Sequence, residues 1–98
     1  MSDQFFAMPA FKPDEALLQL KRSLRDLAGL AASRDGFSLR GRSVIELSVA
    51  EGMLQARIVK RPAHSPEWEV RNCKTHAEVR AVQDEIKRRL ARWMDETT

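Results

Sequence analysis

Two hydrophobic spacings alternate along the chain. From residue 13 to about residue 32, Leu17, Leu20, Leu24, Leu27 and Ala31 recur at three- and four-residue intervals, which predicts a helix with one apolar face. Pro13 suits a first-turn position, and Asp14 and Glu15 complement the positive end of the helix dipole. Gly29 loosens the last turn, and Asp35-Gly36 predicts the stop. The spacing then changes to two. Ile45, Leu47 and Val49 alternate with polar residues, and Leu54, Ala56 and Ile58 do the same after Glu51-Gly52.

If Glu51-Gly52 is a two-residue turn, the register of a hairpin follows. Val49 faces Leu54, Leu47 faces Ala56 and Ile45 faces Ile58, while Glu46 meets Arg57 and Ser48 meets Gln55 on the other side. A one-residue slip would destroy both sets of pairs. Prolines 62 and 66 mark a connection. "EWEVRN" alternates again, with Trp68 and Val70 expected inward and Glu67, Glu69 and Arg71 outward. Thr75 and Glu78 have capping-box spacing, and Val79, Val82, Ile86, Leu90 and Trp93 mark the stripe of a second helix.

The expected class is therefore α+β: a two-layer αβββα domain over residues 13–98, with two helices on one face of a three-stranded antiparallel sheet. Residues 1–12, with Phe5, Phe6, Met8 and Phe11 around Pro9, form an apolar N-terminal arm. At 98 residues the chain is of single-domain length, and 43% apolar with 32% charged residues is a globular balance. No apolar run approaches the roughly 20 residues that a membrane span needs, so no membrane partner is expected. The start lacks the pattern of a secretory signal, and a single cysteine suits a reducing cytosol.

Charge adds a direction to this picture. Each predicted helix is neutral, so the net +3 lies outside them, where nine cations face six acids. The predicted topology brings Arg34, Arg40, Arg42, Lys60, Arg61, Arg88, Arg89 and Arg92 to one end of the sheet, and Asp14, Glu15, Glu51 and Glu78 to the other. Extending the hairpin register sets Arg42 against Arg61, a like-charge pair that either ends the ladder early or calls for an anion. Helix physics alone accounts for Lys87, Arg88, Arg89 and Arg92. Asp84 and Glu85 lie four residues before Arg88 and Arg89, and cations suit a helix C-terminus. Arg34, Arg40, Arg42, Lys60 and Arg61 have no such reason.

The order helix–strand–strand–strand–helix resembles that of double-stranded-RNA-binding domains over residues 13–95. That resemblance implies RNA contact through the loop between the first two strands and the start of the second helix. Here those positions read Glu51-Gly52 and "THAEVR", on the acidic end, so RNA binding by that surface is not expected. With "QFFAM" as an added strand, the order is similar to the ribosome hibernation-promoting factors, whose run of strand then helix shares the rhythm of "EWEVRNCKTHAEVRAVQDEIKRRLARW". That likeness implies a ribosomal partner and carries over no site residue.

Catalytic chemistry is not expected. Cys73 and His76 make half a zinc site at best, the four glycines are scattered, and Glu46, Glu67 and Glu69 are placed on an open sheet face without a cleft. Trp68 and Trp93 are assigned to the core, which leaves the open face without an aromatic for base stacking. Two functional expectations result. The first is a non-catalytic cytosolic protein without cofactor or metal, whose basic end meets nucleic acid, the ribosome or an acidic protein surface. The second is a protein–protein module or homodimer using the N-terminal arm with Leu18, Leu30, Val44 and Val59, which the register leaves outside the core.

Overall fold

The computed structural model describes residues 11–63 and 65–96. The N-terminal arm before Phe11 therefore lies outside the described residues. Helix α1, Pro13–Arg25, has proline in its first turn, Asp14 and Glu15 beside it, and Arg22 and Arg25 in its last turn. Ala16, Leu20 and Leu24, four residues apart, are its buried line, with Leu17 and Leu27 packed at the margin. The helix stops at Arg25, well short of residue 32. Gly29 explains the early stop: its φ of +97° is not helical, and a side chain there would come within 2.9 Å of Met94 Sδ. The chain leaves this turn as a strand.

Strands β1 (Leu30–Ala32), β2 (Gly36–Leu39), β3 (Arg42–Ala50), β4 (Met53–Val59) and β5 (Trp68–Cys73) form one antiparallel sheet in sequence order. The class is α+β, but the sheet has five strands where alternation predicted three. The two additional strands span only three and four residues, too few for a period-two signal to stand out. Asp35-Gly36, expected to end a helix, instead leads into β2. Gly36 passes so close to β3 that a Cβ would lie 1.8 Å from the Ile45 carbonyl oxygen.

The β3–β4 hairpin has the expected register. Ile45 pairs with Ile58, Glu46 with Arg57, Leu47 with Ala56, Ser48 with Gln55 and Val49 with Leu54. Glu51 (φ +54°) and Gly52 (φ +75°) are both left-handed, the turn geometry that matches the twist of two-residue hairpins. Arg40 (φ +53°) and Gly41 (φ +85°) repeat it between β2 and β3. Phe37 lies opposite Ile45 but Ser38 lies opposite Ser43, so Val44 is an extra residue on β3. Such a bulge re-aims a side chain, and Val44 is fully buried rather than outside the core.

Helix α2, His76–Glu96, opens on the expected cap: Glu78 N–H donates to Thr75 Oγ1 (3.1 Å), and Lys74 N–H donates to Glu78 Oε1 (2.7 Å). Its Val79, Val82, Ile86, Leu90 and Trp93 join α1 and the sheet residues Ile45, Leu47, Leu54, Ala56 and Ile58 in one core. Phe37, Leu39, Val59 and Cys73 belong to it as well. The face assignment of β5 is reversed from expectation. Val70 pairs with Arg57 and Trp68 with Val59, whereas Glu69, Arg71 and Cys73 are opposite Ile58, Ala56 and Leu54. Trp68 therefore packs from the far face, and Val70 is 49% exposed. The cause is a long-range charge contact from α2, which local alternation cannot register.

Candidate functional site

One end of the molecule gathers the end of α1, the β2–β3 turn, the end of β4 and the last turns of α2. Met94 and Leu39 both approach Gly29, and the Trp93 indole N–H donates to the Lys60 carbonyl (3.4 Å). The opposite end holds the Glu51-Gly52 turn and the starts of both helices, where Phe11 meets His76 edge-on at 5.2 Å. The strands thus carry Arg40, Arg42, Lys60 and Arg61 to the same end as Arg88, Arg89 and Arg92. Arg34 goes elsewhere. It sits in the β1–β2 turn, beyond Gly36, which pairs with Glu46 partway along β3. That turn is roughly 13 Å along the strand from Arg42, by the usual rise per residue.

The seven remaining cations are not equivalent. Arg89 is buried within the cluster that fixes α2 to the sheet. Its Nε–H donates to Glu85 (2.8 Å), one terminal nitrogen donates to Glu69, and the other donates to the Val59 carbonyl (3.3 Å). Arg71 also donates to Glu69 (2.7 Å) and Arg88 to Glu85 (2.8 Å), so Arg88 takes Glu85 in place of the expected Asp84. The hydrogen bonds from Arg89 and Arg88 hold the Glu85 carboxyl down at about 2. Glu69 is lowered by Arg89 first and Arg71 second. Burial opposes the charge on Arg89, but its bonds to Glu69 and Glu85 outweigh that and raise its pKa. This guanidinium is structural, and sequence reading had placed its partner Glu69 on the wrong face.

Beside the cluster lies a groove of about 670 Å³ lined by Lys60, Arg61, Ser65, Glu67 and Arg92 along with Glu69, Glu85 and Arg89. Two smaller hollows adjoin it through the connection between β4 and β5. One of about 390 Å³ has Arg40, Arg42 and Pro62 in its wall, and one of about 320 Å³ has Arg42, Ser43, Ala63, Pro66 and Trp68. Lys60 is paired with Glu67 at 3.4 Å. Arg42, Arg61 and Arg92 are exposed and make no ion pair among the described residues. The like-charge pair predicted between Arg42 and Arg61 does not form in the ladder, because β3–β4 pairing ends at Ile45 and Ile58 and Arg42 pairs with Leu39.

Trp68 is the residue that sequence reading misplaced with most consequence. The far face of the sheet does carry an aromatic, half-buried, with the Arg57 guanidinium 4.9 Å from its ring centre and Glu46 held by Arg57 at 2.7 Å. Cation and ring attract in this geometry. Elsewhere, the Cys73 thiol is buried, and burial first, then the Glu78 charge, push its pKa up, which makes it a poor nucleophile. Among the described residues, no three His, Cys, Asp or Glu side chains gather closely enough to hold a metal ion. No helix among them is long and apolar enough to cross a membrane.

The fold and this end of it define an α+β domain with a basic tip. Comparison with protein families, with curated proteins and with solved structures finds no match for the chain.

Proposed function

We propose that this chain is a non-catalytic binding protein whose basic tip, built from Arg40, Arg42, Lys60, Arg61 and Arg92 with Arg88 at its margin, receives an anionic partner. A nucleic-acid backbone, ribosomal RNA included, is the first choice. The observation that supports it is the convergence of Arg42, Arg61 and Arg92, without an ion pair among the described residues, on adjoining hollows from three separate parts of the chain. Unpaired guanidinium groups held near one another repel, and phosphate oxygens relieve that repulsion through paired hydrogen bonds. Arg89 is excluded from the contact set because it is buried and each of its three side-chain nitrogens already donates within the fold. A reducing cytosol suits the buried, free thiol of Cys73.

The competing apolar surface is smaller than the sequence implied. Val44 and Val59 are fully buried, Leu30 packs on the core, and Leu18, at 60% exposure, remains outside. The tip is tested by the double variant Arg42→Glu, Arg61→Glu, titrated with RNA, DNA and heparin at 50 and 200 mM salt. With about three phosphates neutralised, the parent's log affinity should fall with log salt at a slope of about −2 to −3. The variant should lose most of the affinity and about two units of slope. No binding by the parent, or equal binding by both, removes the proposal.

A further inference from the structure

The strand at one margin of the sheet, β5, has β4 on one side and no strand on its other side among the described residues. Outer strands of this kind are ordinarily protected by shortness, proline, a bulge or charged side chains, and the two charges of β5, Glu69 and Arg71, are joined to each other. The opposite margin, β1, has three residues. By contrast β5 has six, "WEVRNC", in unbroken register with β4 and without proline or lysine. At its centre is Val70, one of the two large apolar side chains left exposed among the described residues. We infer that β5 pairs antiparallel with β5 of a second copy of this chain, about a two-fold axis at Val70.

The charge pattern selects both the occupant and the register. With the helices of both copies on the same side, odd residues of β5 must meet odd residues of its mate, so the axis passes through a residue. An axis at residue 69 sets Glu69 against itself, and one at residue 71 does the same to Arg71. An axis at Val70 instead brings Glu69 opposite Arg71 of the mate and Arg71 opposite its Glu69, while Val70 meets Val70 and Trp68 meets Asn72. Opposite charges and apolar pairs in register stabilise a ladder. Within one chain Glu69 and Arg71 are already joined at 2.7 Å, so the axis gathers four alternating charges with Arg89 behind each Glu69. A contact of five residue pairs is small, which puts the dimer in the weak, concentration-dependent class.

Residue 70 meets itself in this arrangement, and that gives the test its specificity. Sedimentation velocity of the full chain from 5 to 500 µM should show the parent passing from monomer to dimer. Val70→Asp and Val70→Lys, each confirmed folded by circular dichroism, should stay monomeric, with a dimer Kd at least tenfold weaker. An equimolar mixture of the two should recover the dimer. Independently of those variants, Val70→Cys should form a disulfide-linked dimer under mild oxidation, and Asn72→Cys should not. A parent monomeric at 500 µM overturns the inference. So does a mixture no more associated than its parts, or equal crosslinking at residues 70 and 72. None of these results bears on anion binding at the tip.

Discussion

Arg89 joins a helix, a strand end and two carboxylates through one planar group. Each face of the guanidinium fork has an acceptor, and a lysine, with a single ammonium, has no geometry that meets all three. Because the Glu85 and Glu69 carboxyls ionise at lower pH in the folded chain than in the unfolded one, their contribution is complete above the ordinary carboxylate value of 4.5. It is lost as pH falls toward about 2, the folded value of Glu85. Glu85→Gln should therefore destabilise the protein by about 2–3 kcal/mol at pH 7 and by under about 1 kcal/mol at pH 2.5. Urea midpoints of parent and variant at those two pH values measure it. A gap that does not narrow in acid assigns Glu85 no role in the pH response.

At the scale of elements, the sheet is punctuated by residues chosen for backbone shape, and two turn residues, Arg40 and Glu51, are chosen against it. Gly36 has no room for a side chain, since the carbonyl of Ile45 fills the position a Cβ would take. Gly36→Ala should lower stability by about 2–3 kcal/mol, because backbone and not a flexible side chain must move. Glu51 is left-handed, a conformation in which asparagine is less strained. Glu51→Asn should raise stability by about 0.5–1 kcal/mol. Thermal or urea unfolding of both variants decides these signs.

The same elements show what local pattern can and cannot reveal. The β3–β4 register was legible because apolar pairs and the Glu46–Arg57 pair point to one alignment. The capping box and buried stripe of α2 were legible for the same reason, local residues agreeing with one another. β1 and β2 were not, since three- and four-residue strands show at most two alternations and Arg40-Gly41 lacks the usual turn asparagine or aspartate. The reversal of β5 was out of reach for a different reason. Glu69 faces the helices because Arg89, twenty residues later, neutralises it there.

Across the whole molecule, the ends of the strands were legible and their contents only in part. Counting hairpin turns correctly sent Arg40, Arg42, Lys60, Arg61 and the arginines of late α2 to one end. The undetected β1–β2 hairpin removed Arg34 from that group, and a third dimension that no count supplies drew Arg89 inside. Val44 and Val59 left the presumed surface through the bulge and the strand end. What remains is a tip of exposed arginines with proline and tryptophan in its hollows.

The two left-handed turn residues that are not glycine, Arg40 and Glu51, have a consequence at long range. Each strained position is occupied by a charged side chain, arginine at one extremity of the sheet and glutamate at the other. The side-chain charges at the two ends of α1 add to this separation, while the backbone dipoles of both helices, positive at the glutamate end, oppose it. An anionic partner of the kind proposed above would be met arginines first if the side-chain charges dominate that balance. For that partner, ionic strength should slow association as well as weaken binding, and the charge of residues 40 and 51 would be felt in the on-rate even where neither reaches it.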